Sequence, residues 1–291
     1  MKRIFSFSKI KPTINLFLKG LLMGAADIVP GVSGGTIAFI VGIYERLLTA
    51  ISNVLPITKS IFQTRTIQNT KAQIKNLDWQ FLIPLGSGVV VSFLSLSSLM
   101  THLLTNYSGQ TFAFFTGLIL ASAGILITHA RTHKLKQFIL VILGFIVAYL
   151  ITSLTATALP STLPVVFISG IIAICAMLLP GISGSYLLVV LGQYQFIITA
   201  IHEKNLKIIS TFGVGAIIGL LSIAKLLNHL FKKFHDNMIY ILTGVMLGAL
   251  KAPILNITQS SIALPQTILF IILGIIPIIS ISFLRRQKSN S

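Results

Sequence analysis

The sequence predicts an all-α polytopic membrane protein made of two inverted-topology repeats, each with a re-entrant helix hairpin broken at Pro-Gly-x-Ser-Gly. Three observations predict this class: an apolar composition, ten apolar runs of helical length, and internal similarity around the broken motif. The 291 residues are 54% hydrophobic and only 9% charged, with a mean hydropathy of +0.93. Such a chain cannot give a water-soluble globule its polar surface, so we interpret residues 1–291 as a single integral membrane domain.

The net charge of +17 arises from 22 Lys and Arg residues against 5 Asp and Glu residues. Most of the cations lie in short gaps between apolar runs and form no long basic face. This distribution is typical of positive-inside loops rather than of a nucleic-acid-binding surface. The single cysteine, Cys175, lies in an apolar run, so we expect no disulfide framework.

The apolar runs are all long enough for helices, and none shows the alternating pattern of a membrane strand. They cover residues 13–29, 32–55, 80–104, 110–128, 138–158, 163–180, 182–201, 208–230, 238–252 and 264–284.

An internal repeat emerges when the sequence is compared with itself. A shift of 150 residues aligns a first block, and a shift of 127 aligns a second block further along. The matched pairs include Gly20 with Gly170, Pro30 with Pro180, Gly31 with Gly181, Ser33 with Ser183, Gly42 with Gly192, Gly86 with Gly213 and Gly117 with Gly244. Internal repeats of this kind are common in membrane transporters.

The two shifts set the predicted boundaries. Repeat one covers about residues 12–130 and repeat two about residues 162–257, with four apolar runs in each. A linking helix at about 135–158 joins them, and a C-terminal helix at about 264–284 closes the chain. The change of shift corresponds to extra residues in the polar segment 56–79, which we interpret as a cytoplasmic loop or surface helix.

The orientation of the repeats follows from the number of crossings. Five runs separate the two starts, and an odd number of crossings makes the copies inverted. Loop charge agrees, because Lys and Arg concentrate on one side at the N-terminus, 56–79, 131–136, 232–233 and 285–288. Lys204 and Lys207 are the exceptions. We therefore expect both termini to be cytoplasmic.

The two Pro-Gly-x-Ser-Gly segments lie inside apolar stretches, where proline and glycine interrupt a helix. Unpaired backbone groups are costly in hydrocarbon, so such a break needs protein, water or ligand as its partner. A re-entrant hairpin from each membrane face, with the two tips meeting near the midplane, satisfies this requirement. Each returning half-helix would present N–H groups and a Ser hydroxyl to an anion such as phosphate. The alternative is a tight kink packed against neighbouring helices.

Charged residues close to the breaks occur in the first copy alone. They are Lys19, Asp27, Glu45 and Arg46, opposite Ser169, Met177, Gln195 and Phe196 in the second copy. Asp27 is the most deeply placed acid, so we predict that it couples transport to protons or pairs with Lys19 or Arg46. The alternative for Glu45 and Arg46 is an interfacial pair at a half-helix end.

Other polar residues give weaker signals. Lys225 and Lys251 lie late in apolar runs, and we expect both to snorkel to a surface. The sequence contains no cluster with metal-ligand spacing, no P-loop, and no His or Asp base beside either motif serine. We therefore expect no metal, no cofactor and no catalytic residues.

The segments Ala26–Thr36 and Leu179–Ser185, with Gly42–Glu45, resemble those of the PopT-type polyprenyl-phosphate translocases, long catalogued as a domain of unknown function. The resemblance covers nearly the whole chain. It implies transport of undecaprenyl phosphate from the outer to the inner leaflet of a bacterial plasma membrane, for recycling of the carrier lipid in cell-envelope synthesis. The two broken motifs fit that cargo, so we assign phosphate contact to Ser33, Gly34, Gly35, Thr36, Ser183, Gly184 and Ser185, and charge neutralisation to Arg46.

Two other functions stay open at this point. An intramembrane polyprenyl-pyrophosphate phosphatase would have similar tips, but its motif serine is followed by Arg, whereas glycine follows Ser33 and Ser183 here. A channel or carrier for a small soluble anion would use the same half-helix ends. The sequence also leaves open the coupling ion, for which the hypothesis is a proton carried by Asp27 or Glu45, with Lys19 as a charge partner of Asp27. It does not decide whether the protein forms a homo-oligomer.

Overall fold

The computed structural model describes residues 7–29, 31–57, 73–128, 130, 132, 135–154 and 159–289. Within these ranges the chain forms twelve helices of at least seven residues and no strand. The prediction of an all-helical protein is therefore confirmed. Pro30 of the first motif, residues 58–72 of the predicted polar loop and residues 155–158 of the linking run lie outside the described residues.

The helices follow the predicted apolar runs closely. The first six are α1 (Phe7–Ile28), α2 (Gly34–Ile40), α3 (Tyr44–Ser52), α4 (Trp79–Asn106), α5 (Ser108–Thr128) and α6 (Leu135–Ile151). The last six are α7 (Leu163–Leu178), α8 (Gly184–Val190), α9 (Tyr194–His202), α10 (Leu206–Ala249), α11 (Lys251–Gln259) and α12 (Leu264–Ser289).

Several helices have the length and composition of membrane spans. Three qualify directly, namely α4, α5 and the continuous stretch of α10 and α11, and each of the two bent helix pairs adds one if it counts as a single span. The bends measure 118° between α2 and α3 and 107° between α8 and α9. Apolar side chains are exposed along α4, α6 and α12, as a lipid environment requires.

The bends were not foreseen, because runs 32–55 and 182–201 read as unbroken apolar segments. Each bend occurs at a glycine with a positive φ, Gly42 at 65° and Gly192 at 70°. Only glycine adopts this backbone region without strain. The two break glycines share the same property, with φ of 82° at Gly31 and 95° at Gly181. All four stand at positions related by the 150-residue shift.

The 127-residue shift also relates two positions that have nearly the same backbone dihedral angles. Tyr107, between α4 and α5, has φ −135° and ψ 39°. Phe234, which lies 127 residues later, kinks α10 with φ −134° and ψ 46°. The kink divides α10 into two parts that correspond to α4 and α5. The runs 208–230 and 238–252 are therefore one kinked helix rather than two separate ones.

Glycines allow the long helices to pack with their backbones close together. A Cβ at Gly20 of α1 would lie 2.0 Å from the Leu85 carbonyl oxygen of α4, and a Cβ at Gly170 of α7 would lie 2.4 Å from the Phe212 oxygen of α10. Small residues at such contacts are typical of helix packing in membranes. The two helix pairs therefore use equivalent glycines.

The remaining long helices pair in the same way. A Cβ at Gly117 of α5 would lie 2.0 Å from the Ile271 oxygen of α12, and one at Gly244 of α10 would lie 2.0 Å from the Val141 oxygen of α6. Thus α12 packs against the first half of the chain, and α6 packs against the second. The predicted linking helix and the predicted C-terminal helix therefore occupy matching places in the two halves.

An aromatic cluster fixes the first bent pair to α10. The Tyr44 ring lies 4.7 Å from the Phe39 ring and 5.8 Å from the Phe231 ring, between centroids. Tyr44 and Phe231 are both buried. This cluster belongs to the main core, which places α2 and α3 against the middle of α10.

Candidate functional site

The two broken motifs contact each other directly. The Ser33 hydroxyl donates a hydrogen bond to the Met177 carbonyl oxygen at 2.9 Å, and the Gly181 N–H donates to the Thr36 hydroxyl at 2.8 Å. Ser33 and Thr36 are fully buried. Two predicted phosphate-binding residues therefore hold the breaks together in this structure.

Two further contacts strengthen this junction. The Tyr44 hydroxyl donates to the Leu178 carbonyl oxygen at 3.0 Å. A Cβ at Gly35 would lie 2.8 Å from the same oxygen, so only glycine permits the approach. These bonds use carbonyl groups at the end of α7 that have no partner within their own helix. Side chains of the first motif region thus donate hydrogen bonds to the free carbonyl oxygens at the end of α7.

The N-terminus of α2 is capped by protein groups. The Gly34 N–H donates to the Asp27 carboxylate at 2.6 Å, and the Gly35 N–H donates to the Ser33 hydroxyl at 3.1 Å. A Cβ at Gly34 would lie only 2.3 Å from an Asp27 oxygen, which explains the glycine. The carboxylate therefore occupies the place where the sequence predicted an anion.

Lys19 lies at the opposite end of the same short helix. Its ammonium donates to the carbonyl oxygen of Val41, the C-cap of α2, at 3.2 Å. Asp27 and Lys19 both belong to α1, which runs antiparallel to α2. A negative group at the N-terminus and a positive group at the C-terminus both oppose the helix dipole. Their geometry favours a structural role in the first hairpin.

The N-terminus of α8 has a different environment. Met177 stands where the first copy has Asp27, so no carboxylate caps Gly184. The Ser183 and Ser185 hydroxyls lie 2.9 Å apart, and the Ser183 oxygen accepts from the Tyr186 N–H at 3.5 Å. Ser183 is buried and Ser185 is half-buried. The second break therefore offers two hydroxyls without a competing anion.

Glu45 and Arg46 each pair with a residue far away in the chain. A Glu45 carboxylate oxygen lies 3.2 Å from His235 Nε2, and His235 Nδ1 lies 3.3 Å from Asp236. The Arg46 guanidinium contacts the Asp78 carboxylate at 2.7 Å. The two residues therefore pair with other side chains and not with each other. Asp78 and His235 were missed because no local pattern links residues so distant in sequence.

Arg46 also stacks over an aromatic ring. Its guanidinium carbon lies 4.5 Å from the centre of the buried Phe81 ring. The Arg46 side chain is 52% exposed, at the N-terminal end of α4. Its contacts are with Asp78 and Phe81 and not with residues of the breaks. No group of three or more residues that could hold a metal ion occurs among the residues that the structure describes.

An apolar helical bundle in which two broken helices meet at their breaks is an architecture that membrane transporters use. The chain belongs to the undecaprenyl phosphate translocase-like family, whose model, described as VCA0040-like, matches residues 23–268.

Two relatives carry the name polyprenyl-phosphate transporter. The protein from Vibrio cholerae is 42% identical over 237 residues, covering 81% of this chain and 76% of the relative. The protein from Staphylococcus aureus is 31% identical over 254 residues, covering 81% and 84%. These names describe transporters and not enzymes. A transporter is also what the sequence predicted. No solved structure matches the chain.

Proposed function

We propose that this protein moves undecaprenyl phosphate from the outer to the inner leaflet of the bacterial plasma membrane, returning the carrier lipid to cell-envelope synthesis. The observation that carries the proposal is the 42% identity to the Vibrio cholerae polyprenyl-phosphate transporter over most of both chains. The apolar exposed helices support a cargo whose tail stays in lipid. A phosphatase has no support in the family or in its named relatives.

The transport mechanism that we propose uses two inverted repeats with re-entrant hairpins. Its support is the equal backbone geometry at Tyr107 and Phe234 and at the four positive-φ glycines. The equivalent glycine contacts extend the similarity to α6 and α12. Each repeat then contains one long helix beyond the four predicted runs. Inverted repeats permit alternating access around a site between the breaks.

The phosphate site that we propose lies at the breaks and differs between the two halves. Ser183, Gly184 and Ser185 are the direct ligands, because no carboxylate competes there. The equivalent groups of the first hairpin, Ser33 to Thr36, bind protein in this structure. They would reach phosphate only in a state in which the breaks separate. Arg46, paired with Asp78 at the predicted cytoplasmic end of α4, would act on the head group as it leaves towards the inner leaflet.

Proton coupling is assigned to Asp27 and Glu45. Glu45 is the better placed for exchange, because it is exposed and lies next to His235, which could pass a proton between Glu45 and Asp236. Asp27, with Lys19 on the same helix, would act by changing the first hairpin. If transport by Asp27→Asn and Glu45→Gln variants kept the pH dependence of the wild type, the coupling proposal would be abandoned.

The decisive experiment uses the purified protein in liposomes that contain a fluorescent polyprenyl phosphate. A membrane-impermeant quencher measures how much label is exposed in the outer leaflet, and free phosphate is assayed in parallel. We expect rapid leaflet exchange without phosphate release. Ser183→Leu should slow it, whereas Ser87→Leu, at an exposed position of α4, should not.

The other outcomes separate the rival functions. Release of phosphate would indicate an enzyme. Leaflet exchange no faster than in protein-free liposomes, together with uptake of inorganic phosphate, would indicate a carrier for a soluble anion. Equal effects of the two serine substitutions would remove the second break from the proposed site while leaving the transport function in place.

A further inference from the structure

Lys251 lies beside both breaks, although no motif includes it. It stands at the junction of α10 and α11, between Ala249 and Ala252. A Cβ at Gly181 of the second break would lie 3.3 Å from the Ala249 Cβ, and a Cβ at Gly31 of the first break would lie 3.3 Å from the Ala252 Cβ. The backbone at Lys251 therefore runs between the two motifs.

The Lys251 ammonium has partners but no counter-ion. It donates to the Ser153 hydroxyl at the end of α6 and lies 4.4 Å from the centre of the Tyr149 ring. All five acidic residues of the chain lie within the described ranges, and none of them forms an ion pair with Lys251. Its positive charge is therefore balanced by dipoles and a π-system alone.

The depth of Lys251 makes this unusual. The far end of α11 lies against the first turn of α5, where a Cβ at Gly109 would be 2.3 Å from the Ser260 hydroxyl. Nine residues separate Lys251 from Ser260, which corresponds to about 13 Å of helix. Lys251 thus lies about two and a half turns from that end of α11, and its half-buried side chain reaches Ser153 at the end of α6. A cation at such depth normally has a functional partner.

The repeat itself does not require this charge. The position that corresponds to Lys251 in the first half is Gly124 of α5, around which a Cβ would meet no atom within 4 Å. The cation belongs to the second half alone, the half whose break lacks an acidic cap. The Tyr186 hydroxyl of α8 donates to the Thr152 carbonyl oxygen at 2.8 Å, next to Ser153. The second break and Lys251 therefore share the end of α6.

The surface beside this cation suits a lipid. Tyr149 stacks on Phe145 with ring centroids 5.8 Å apart, and the two residues are 43% and 40% exposed on α6. An isoprenoid chain could follow these rings in the membrane while its head group reaches the ammonium. A soluble anion would gain nothing from this lateral aromatic face.

We propose that Lys251 and Ser153 form a binding site for the phosphate monoester head group of a polyprenyl phosphate, with the tail along Tyr149 and Phe145. This rests on the proposed transport function and adds a cation to it. The ammonium exchanges the Ser153 hydroxyl and the Tyr149 ring for a phosphate oxygen, a stronger partner for a Lys ammonium. The Ser153 hydroxyl, which donates to the Tyr149 carbonyl oxygen in this structure, then donates to the same phosphate instead.

Binding of farnesyl phosphate to the purified full chain in detergent tests this site. Lys251→Met should weaken binding by about tenfold or more, since a charge-assisted hydrogen bond is lost. Ser153→Ala should weaken it less. Lys225→Met is the matched control, because Lys225 is an exposed lysine on α10, and it should bind like the wild type. Uncharged farnesol should bind all variants equally. Lys251→Arg keeps the charge and should retain most of the binding. It serves as the second test if Lys251→Met proves unstable.

The outcomes distinguish this site from the transport function. Wild-type affinity in both Lys251→Met and Ser153→Ala would overturn the site while leaving lipid transport unaffected. A wild type that neither binds farnesyl phosphate nor moves a labelled lipid would overturn the transport function itself. Inorganic phosphate that competes as strongly as farnesyl phosphate, with both lost in Lys251→Met, would keep the phosphate site and assign it to a soluble anion.

Discussion

Individual charged side chains separate into structural and functional groups. Asp27 and Lys19 complement the two ends of α2, which bends away from α3 after seven residues. Such a short helix inside an apolar bundle has unsatisfied backbone groups at both ends. The first hairpin supplies these partners from α1. The second hairpin has Ser169 and Met177 at the same positions and receives no such charges.

Asp27 should therefore matter for stability. Replacing it with Ala leaves the Gly34 N–H without its acceptor, and an unsatisfied buried donor costs about 1–3 kcal/mol. We expect Asp27→Ala to lower the midpoint of thermal unfolding in detergent, with Asp27→Asn, which keeps an acceptor oxygen, much closer to the wild type. Glu203→Ala, at an exposed acid, is the control. Equal midpoints for the two Asp27 variants would argue against the cap.

At the scale of elements, glycines decide which helices can approach. Gly88 on α4 and Gly215 on α10 stand 127 residues apart, and a Cβ at either would lie 2.1 or 2.2 Å from a carbonyl oxygen of the neighbouring helix, α1 or α7. Gly86 and Gly213 precede them by two residues and face open space. Each half therefore has one glycine that contacts a neighbouring backbone and one nearby glycine that does not, and the second serves as a control for the first.

Alanine substitutions should reveal this difference. Gly88→Ala and Gly215→Ala should each destabilise the protein, because the backbones must separate to accommodate the methyl group. Gly86→Ala and Gly213→Ala should be neutral or stabilising by up to about 1 kcal/mol, since alanine favours a helix over glycine. Thermal unfolding of the four variants measures this. A destabilised Gly86→Ala would show that the open space is filled in the membrane.

For the molecule as a whole, the proposed inverted orientation of the two halves predicts on which side of the membrane equivalent residues lie. Tyr107 and Phe234 have the same backbone geometry and are 48% and 44% exposed. In inverted repeats these two positions lie on opposite sides of the membrane, Tyr107 outside and Phe234 in the cytoplasm. Parallel repeats would place both on one side.

Cysteine labelling tests this arrangement. In a Cys175→Ala background, a membrane-impermeant maleimide added to intact cells should label Tyr107→Cys, whereas Phe234→Cys should react only after the cells are broken. Lys136→Cys should behave like Phe234→Cys, since the loop before α6 is predicted to be cytoplasmic. Labelling of both Tyr107→Cys and Phe234→Cys from outside would rule out inverted halves.

The sequence by itself determined the helical class, the positions of the two breaks and the internal shifts of 150 and 127 residues. These features depend on local composition and on proline and glycine, whose backbone preferences act within a few residues. The same local signals located Gly42 and Gly192 as a matched pair, although their role as bends appeared only in the backbone geometry.

Only the tertiary structure decided which groups meet. The contacts of Ser33 with Met177 and of Glu45 with His235 join residues 144 and 190 positions apart. Lys251 likewise finds Ser153 across 98 positions. Such partners depend on how whole helices pack. For the same reason Lys225 and Lys251, which are both lysines in apolar runs, have different environments. The sequence therefore located the breaks, whereas packing capped the helix after the first break with Asp27 and placed Lys251 beside both breaks.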